Sequence, residues 1–200
     1  MIEGGDVVET KVLRGGQIER AVADLACLRI SVFRSYPYLY DGDMDYERRY
    51  LGRFAGVPRA FVVAATSEGR LVGAATACPM EDHEDGFSAP LAAAGIKPTS
   101  VYYCAESVLL PEYRGQGLGH RFFDAREAEG RALGRAYAAF ASVVRPENHP
   151  ERPLGYRPLD AFWYKRGYSP IPGAVAQFAW RDVGRDVETM KPLQLWMRRL

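Results

Sequence analysis

The sequence predicts a mixed α/β (α+β) domain with a twisted sheet of about six or seven strands and helices on both faces. Apolar runs rich in β-branched and aromatic residues, which favour strands, alternate with segments whose apolar residues recur at the period of a helix. One stretch, from Val101 to Ala132, joins a strand to a helix through a glycine-rich turn. The length of 200 residues and the hydrophobic content of 48% suit a single domain, residues 1–200, with a sizeable core.

In the first half of the chain, the pattern predicts a strand, two helices and a hairpin. These elements fall at Val7–Leu13, 18–32, 43–55, Ala60–Thr66 and Leu71–Ala77. Arg29 lies within the period of the first helix, which ends at an aromatic cluster from Tyr36 to Tyr40. Asp43 is placed to cap the second helix, and Gly56 follows its end.

The connection Met80–Ser100 is longer than a hairpin between two strands requires. Its first half, from Met80 to Asp85, is acidic. Its second half predicts a short helix that Ser88 caps and Gly95 stops. Two interpretations stay open, namely a lid or wall of a substrate site and a solvated surface loop.

The second half of the chain predicts a further strand–helix unit and a closing pair of strands. The central strand is Val101–Leu110, which Pro111 ends because proline cannot donate to a ladder. Two helices are predicted at 118–132 and Leu159–Arg166, and three strands at Ala136–Val144, Ala174–Trp180 and Leu193–Met197. A proline-rich loop is predicted at Arg145–Pro158.

Composition excludes several classes of protein. The net charge of +1 gives no general attraction to nucleic acid or to a membrane surface. The sequence has no 18-residue apolar run, and its first residues do not form a signal peptide. Cys27, Cys78 and Cys104 are widely spaced in apolar surroundings, which favours buried, reduced thiols in the cytoplasm, with a nucleophilic Cys104 as the alternative. No set of His, Cys, Asp and Glu residues has the spacing of metal ligands.

The glycine-rich turn predicts a site for an anion. Glycines let the backbone approach a ligand closely, and the first N–H groups of the following helix have no partner inside the helix. The helix dipole also favours negative charge there, so a phosphate or pyrophosphate is the expected ligand. Gly115, Gly117 and Gly119 do not have the G-x-G-x-x-G spacing of dinucleotide sites, which disfavours a dinucleotide oxidoreductase.

The same turn resembles the coenzyme A motif of the GNAT N-acetyltransferase superfamily, [QR]-x-x-G-x-[GA], with its lead-in V-x-P-x-[YF]. Arg114, Gly117 and Gly119 fill the three fixed places, and Leu109 to Tyr113 fill the lead-in. The resemblance implies the GNAT fold and acetyl-CoA (coenzyme A) as acyl donor. It also implies cofactor-binding residues in the strand end and the turn, namely Leu109, Leu110, Arg114, Gly115, Gln116, Gly117, Leu118 and Gly119. The structural alternative is a glycine-rich turn that only packs closely.

A second resemblance lies in the predicted helix Leu159–Arg166. GNAT proteins commonly end with a helix that carries a tyrosine beside the cofactor sulfur, followed by a glycine and an aromatic residue. We assign these places to Tyr164, Gly167 and Tyr168, which implies that Tyr164 is the general acid for the leaving thiolate. The structural alternative is a core tyrosine, and Tyr156 is the fallback donor.

The helix departs from the family pattern in one respect. The asparagine that usually precedes the tyrosine is missing, because Arg157, Pro158, Leu159 and Asp160 hold its place. Cofactor contacts from this helix would then come from basic side chains that reach a phosphate. The candidates are Arg157, Lys165 and Arg166.

Glu106 is the candidate general base, because attack by an amine requires that a proton leave the ammonium. It stands in the central strand, where related proteins often carry an Asp or Glu that faces the cleft. A carboxylate in an otherwise apolar strand is costly unless it has a partner or serves a site. The alternatives are a solvated Glu at the strand end and a Glu that holds a buried partner.

The acceptor is less visible in the sequence. Acidic residues at 41–47 and 81–85, with Tyr36, Tyr38 and Tyr40, would make an aromatic, acidic wall suited to a cation. The implied reaction is direct transfer of an acetyl group from acetyl-CoA to a primary amine of a small molecule or peptide. A non-catalytic coenzyme A-binding sensor is the alternative. The oligomeric state stays open, a homodimer included.

Overall fold

The computed structural model describes residues 7–83 and 86–200. One sheet contains seven strands in the order β1-β2-β3-β4-β5-β7-β6. The strands are β1 Glu9–Leu13, β2 Phe61–Ser67, β3 Arg70–Pro79, β4 Val101–Leu109, β5 Tyr137–Val143, β6 Ser169–Arg181 and β7 Glu188–Arg199. Only β4 and β5 run parallel, since every other neighbouring pair is antiparallel. The predicted mixed sheet is confirmed.

Five helices cover the two faces of this sheet. They are α1 Gly16–Phe33, α2 Met44–Ala55, α3 Ser88–Ala93, α4 Leu118–Ala132 and α5 Asp160–Lys165. α1 packs on β3, β4 and α2, while α4 packs on β2 to β5 from the other side. α5 adds aromatic side chains to the α4 side, and α3 packs against β6. No helix among residues 7–83 and 86–200 is long and apolar enough to cross a bilayer.

Most helix ends follow the sequence signals. The Asp43 carboxylate accepts the N–H of Tyr46 at 2.8 Å and caps α2, as predicted. The predicted cap of α3 is wrong, because Ser88 is the first residue of that helix and no side chain caps it. β6 and β7 also extend beyond the predicted Ala174–Trp180 and Leu193–Met197. The added part of β6 contains Pro170, Pro172 and Gly173, and that of β7 contains Lys191 and Pro192, so these extensions lack the apolar, β-branched pattern that predicts a strand.

β4 and β5 pair over three residues only. Val101–Tyr103 lies beside Tyr137–Ala139, and no further pairing between these strands follows. Beyond that point β4 remains paired with β3, and β5 remains paired with β7. A gap therefore opens in the middle of the sheet between the second halves of β4 and β5.

β4 contains a bulge where this gap begins. Thr76 pairs with Glu106 and Cys78 with Tyr103, so three steps along β4 oppose two steps along β3. In an unbroken strand Cys104 and Glu106 would point to the same face. Here Cys104 packs in the cluster under α4, whereas Glu106 meets side chains of α1 and α2. The extra residue reverses the direction in which Glu106 points.

The described part of the connection Met80–Ser100 packs against the rest of the protein. The Phe87 ring stacks on Phe178 of β6 at 4.5 Å between centroids, and Leu91 is fully buried. The carboxylates of Glu81 and Asp82 both pair with Arg59. These contacts argue against a free surface loop, and a lid or wall of a substrate site stays a prediction. Two of its predicted acidic residues, Glu84 and Asp85, lie outside the described residues.

The loop after β5 folds back on the segment between α1 and α2. The Tyr156 ring meets the Tyr36 ring edge-on at 4.7 Å. Arg145 donates to the carbonyl oxygens of Pro37 and Tyr38 at 2.8 and 2.7 Å, and to the Asp182 carboxylate at 2.9 and 3.0 Å. We call the segments 36–40, 145–158 and 180–182 the rim. One guanidinium thus joins three parts of the chain on the α1/α2 side.

Candidate active site

The glycine-rich turn connects the end of β4, which borders the gap, to the uncapped N-terminus of α4. Gly117 precedes α4 with φ +80°, a left-handed conformation that glycine adopts without strain. No side chain caps α4, so its first N–H groups are left for solvent or a ligand. A Cβ atom built on Gly115 or Gly117 would meet nothing within 4 Å, which shows that the backbone is open to approach. Gln116, Leu118 and Gly119 complete the turn, which stays a predicted anion site.

The end of β4 presents a backbone N–H to the gap. Leu110 donates its N–H to Val72 of β3 at 3.0 Å. Because a strand directs successive N–H groups to opposite sides, the Leu109 N–H points away from β3, toward the gap. The Leu109 carbonyl shares that direction and accepts the Arg114 guanidinium at 3.2 and 3.3 Å. Of the two predicted residues, Leu109 therefore has the free donor, while Leu110 has its N–H engaged.

Glu106 is held by three donors. Its Oε1 accepts the Tyr50 hydroxyl at 3.0 Å and contacts the Arg29 guanidinium. Its Oε2 has a longer contact of 3.5 Å with the Thr76 hydroxyl. The side chain is 15% exposed. Glu106 thus has a buried partner but stays partly exposed, and Oε2 is the less engaged of its two oxygens.

Behind Glu106 lies a buried charge cluster of Arg29, Glu47 and Glu106. Arg29 of α1 donates to Glu47 of α2 at 2.5 Å, and the Glu47 side chain is fully buried. Burial opposes the charge of Arg29, but the carboxylates of Glu106 and Glu47 outweigh it and hold the pKa of this guanidinium well above its ordinary value. One guanidinium faces two carboxylates, so the ionised cluster carries one net negative charge.

Tyrosines line the same side of the sheet. Burial, with the Glu106 charge, raises the pKa of Tyr38 to about 12. Burial also raises the pKa of Tyr156, which the Tyr36 ring covers. Both phenols therefore keep their protons at neutral pH, as a general acid must before it donates.

Tyr164 belongs to α5, which lies on the α4 side of the sheet, opposite to α1 and α2. Its ring meets Trp196 edge-on at 5.1 Å and is 55% exposed. In the pattern that this helix resembles, A-x-x-x-Y-x-k-x-G-[FY], the tyrosine stands four residues before the glycine. Trp163 holds that place here, since Tyr164 is three residues before Gly167. Trp163 packs against Phe140 and Trp196. The assignment of Tyr164 as the general acid stays a prediction, and this residue is displaced by one position from the family pattern.

The basic residues proposed for a phosphate divide into two groups. Arg166 is engaged by Asp124 at 2.7 Å and by Glu127 at 3.0 Å, and it also contacts the His120 ring. This network holds Arg166 beside the first turn of α4, and its charge is shared with Asp124 and Glu127. Arg157 and Lys165 are exposed and stay candidates.

Two carboxylates of the predicted acidic wall are paired with arginines. Asp41 is shared by Arg34 at 3.4 Å and Arg181 at 2.8 Å, and Glu47 is buried against Arg29. Asp43 is used as a helix cap, and Asp45 is exposed. The aromatic part of the wall is present, and the arginines reduce the negative charge that Asp41 and Glu47 contribute to it.

The cysteines differ in exposure. Cys78 and Cys104 are buried, and burial raises the pKa of Cys78 to about 12 and raises that of Cys104. The prediction that Cys27 is buried is wrong, because it lies on the solvent side of α1. A protonated thiol is a poor nucleophile, which argues against the catalytic alternative for Cys104. Within the described ranges no group of three or more His, Cys, Asp or Glu residues could hold a metal ion.

The sequence assigns no role at the site to Arg29, Tyr50 or Arg126, and it places Glu47 in the acidic wall and not in a buried ion pair. A signal existed for Arg29, because it shares the helical period of the buried residues of α1. For the other three no sequence signal separates a buried polar side chain from an exposed one.

Comparison with known proteins points to one family. The model of the acetyltransferase (GNAT) family matches residues 27–157. No curated protein sequence matches the chain significantly. Three solved structures illustrate the likeness. A ribosomal-protein-alanine N-acetyltransferase from Brucella melitensis has a TM-score of 0.60 and 14% identity, with 95% of this chain and 99% of that chain covered. A polyamine N-acetyltransferase from Drosophila melanogaster has a TM-score of 0.56 and 16% identity, with 97% of this chain and 100% of that chain covered. The PaiA N-acetyltransferase from Thermoplasma acidophilum, in complex with coenzyme A, has a TM-score of 0.53 and 11% identity, with 97% of this chain and 99% of that chain covered. The structural likeness shows the fold.

The difference in cysteine exposure predicts selective alkylation. Iodoacetamide at pH 8 should label one site on the folded protein, Cys27, because the other thiols are buried and protonated. Mass spectrometry should find three labels after denaturation and none on folded Cys27→Ser. Labelling of Cys104 in the folded protein at the rate of Cys27 would restore it as a candidate nucleophile.

Proposed function

This chain belongs to the acetyltransferase (GNAT) family, and from that premise we propose that it transfers an acetyl group from acetyl-CoA to a primary amine by direct attack. The observation that carries the proposal is the alignment of three features along the gap. These are the uncapped N-terminus of α4, the outward N–H of Leu109 and the carboxylate of Glu106. They suit a pyrophosphate, a thioester carbonyl and an ammonium, respectively.

The turn before α4 supplies the donor site. The N–H groups of Gln116 to Gly119 bind the pyrophosphate, and Arg114 adds positive charge beside them. The backbone of Leu109 and Leu110 borders the gap that receives the pantetheine. The related Thermoplasma acidophilum protein was solved in complex with coenzyme A, which supports this donor. The proposal requires no metal ion.

The Leu109 N–H polarises the thioester carbonyl. Acetyl-CoA supplies an acetyl group activated as a thioester, whose carbonyl oxygen gains negative charge when the amine attacks. A backbone donor fixed by the neighbouring ladder needs no reorganisation at that moment, which is the basis of oxyanion stabilisation. The bond from Leu110 to Val72 supplies that rigidity.

Glu106 takes the proton from the ammonium, directly or through one water molecule. Arg29 and Tyr50 fix its Oε1 and leave Oε2 as the acceptor. The net negative charge of the cluster with Glu47 also attracts an ammonium to this place. The neutral amine then attacks the thioester carbon, the C–S bond breaks and the thiolate leaves. The attacking nitrogen gives up its second proton to water, which restores the proton of the acid.

Tyr164 protonates the departing thiolate, and Tyr156 is the alternative donor. Tyr164 lies on the α5 side of β5, beside Trp196. Tyr156 lies on the α1/α2 side with Tyr36, and Tyr38 interacts electrostatically with both Tyr156 and Glu106. A donor on either side of the gap could serve the sulfur.

The acceptor is a primary amine of a small molecule or a peptide. The related structures include an enzyme named for polyamines and one named for the alanine of a ribosomal protein, which span both kinds. We propose that residues 1–200 act as one catalytic domain in the cytoplasm, without a nucleic-acid or membrane partner. The second candidate, a coenzyme A-binding sensor, would use the donor site alone.

Blocking the turn tests the donor site. Gly117→Val should abolish the rise in melting temperature that acetyl-CoA produces, a stabilisation of about 2.7 kcal/mol at a ligand concentration of 100 Kd. The matched control is Gly134→Val at the other end of α4. It has φ +67° and open space around it, so it carries the same backbone strain of roughly 1–2 kcal/mol. The control should keep the rise. A normal rise in Gly117→Val would locate the anion site elsewhere.

Replacing one carboxylate of the cluster tests the base. Glu106→Gln should bind acetyl-CoA normally but lose about 10²–10⁴ in kcat at neutral pH and partly recover at high pH, where more of the amine is neutral. Glu47→Gln makes the same charge change against the same Arg29 and should stay within a few-fold of wild type. Either variant leaves Arg29 one partner, so both should fold. Equal losses in both variants would reject a specific role for Glu106.

Removing a phenol hydroxyl tests the acid and separates enzyme from sensor. Tyr164→Phe keeps the ring, so cofactor affinity should stay within a few-fold. Release of thiol from acetyl-CoA with a panel of amines should fall at least tenfold. Loss in Tyr156→Phe instead would transfer the role to Tyr156. Full activity in both would mean that water protonates the thiolate, and no thiol release by wild type with any amine would favour the sensor.

A further inference from the structure

A buried arginine, Arg126, occupies the opposite side of the bulge in β4. It lies in the middle of α4, and only 1% of its surface is exposed. Its guanidinium carbon sits 4.7 Å from the centre of the Phe123 ring, inside the aromatic cluster between α4 and the sheet. A charged side chain in such a place costs several kcal/mol unless its donors are satisfied. None of the ion pairs found among residues 7–83 and 86–200 involves Arg126.

The guanidinium of Arg126 donates hydrogen bonds to groups in and around the bulge. Nη1 donates to the carbonyl oxygen of Glu106 at 2.9 Å and to that of Thr76 at 3.4 Å. Nη2 donates to the Ser107 hydroxyl at 2.9 Å, and Nε donates to the Phe122 carbonyl within α4 at 3.1 Å. Thr76 and Glu106 are the paired residues at which the register shifts. Arg126 therefore bridges both strands at the bulge.

A bulge leaves backbone groups without their ladder partners, and such groups are costly when buried. Arg126 donates to two carbonyl groups at the bulge from the α4 side. These bonds favour the bulged register over a register in which β4 is shifted by one residue. Such a shift turns every following side chain to the other face of the sheet.

We propose that Arg126 is a positioning residue, which fixes the bulge of β4 and thereby turns the Glu106 carboxylate toward the acceptor side. It touches neither substrate, because it acts from the far face through the Glu106 and Thr76 carbonyl groups. This inference rests on the proposed function, since it explains how the base of that function obtains its direction.

The test compares Arg126→Met with two matched variants. Arg131→Met removes an exposed arginine from the same helix, and Phe123→Leu disturbs the ring under the guanidinium without touching the bulge. Arg126→Met should bind acetyl-CoA within a few-fold of wild type, because the turn before α4 is unchanged. Its kcat should fall at least tenfold further than that of Phe123→Leu, measured well below the melting temperature of each. Arg131→Met should match wild type.

A double variant shows whether Arg126 acts through Glu106. Arg126→Met combined with Glu106→Gln should be no more than a few-fold slower than Glu106→Gln alone, and Arg126→Met should share the pH profile of Glu106→Gln. Multiplicative losses in the double variant, or a loss in Arg126→Met equal to that in Phe123→Leu, would overturn the proposal. If Arg126→Met does not fold, Arg126→Lys, which keeps the charge but cannot reach both carbonyl groups, is measured in its place with the same criteria.

A crystal structure of Arg126→Met separates this proposal from the proposed function. Loss of the register shift between Thr76 and Cys78, or an altered direction of Glu106, supports the positioning role even if Glu106→Gln proves fully active. An unchanged bulge with Glu106 still against Arg29 and Tyr50 overturns it, whatever the role of Glu106 in the reaction.

Discussion

β4 has one residue more than the part of β3 to which it is bonded, and the rest of the site depends on that mismatch. Before the bulge, Cys104 belongs to the core under α4, and after it Glu106 belongs to α1 and α2. The same irregularity marks the point where β5 stops pairing with β4. A gap, a redirected carboxylate and an outward N–H therefore have one origin in the backbone.

Buried charge is the second organising feature. Of the 26 basic residues, 22 are arginines, whose planar guanidinium can donate to several acceptors at once. Arg29 joins two carboxylates beneath the gap, and Arg126 joins carbonyl groups of two strands. On the α4 side, Glu127 is buried among Arg166, Arg198 and the Tyr168 hydroxyl. These contacts satisfy groups that would otherwise penalise folding, and they fix the directions of the side chains around the gap.

The sequence was sufficient for elements whose signals are local. The strand, glycine turn and helix from Val101 to Ala132 could be predicted because apolar period and glycine spacing are properties of neighbouring residues. Glu106 also stood out, as a single carboxylate in an apolar strand. Its direction could not be predicted, because the bulge depends on the register with β3, which is a tertiary property. Nor could its partner Arg29, 77 positions away, or the neutralisation of Asp41 by Arg181, which requires distant segments to meet.

Under the proposed function, the rim contains the tyrosines of the predicted acceptor wall, so its contacts have a consequence for how acceptor specificity changes over evolution. Arg145 holds Pro37, Tyr38 and Asp182 together, so the segment after α1, the loop after β5 and the start of the β6–β7 hairpin share one anchor. Trp180 adds a bond from its indole N–H to the Tyr38 carbonyl. A substitution in one segment shifts the other two, so its effect should depend on the residues already present there. New specificity should therefore arise by exchange of the three segments as a unit more readily than by drift in any one of them.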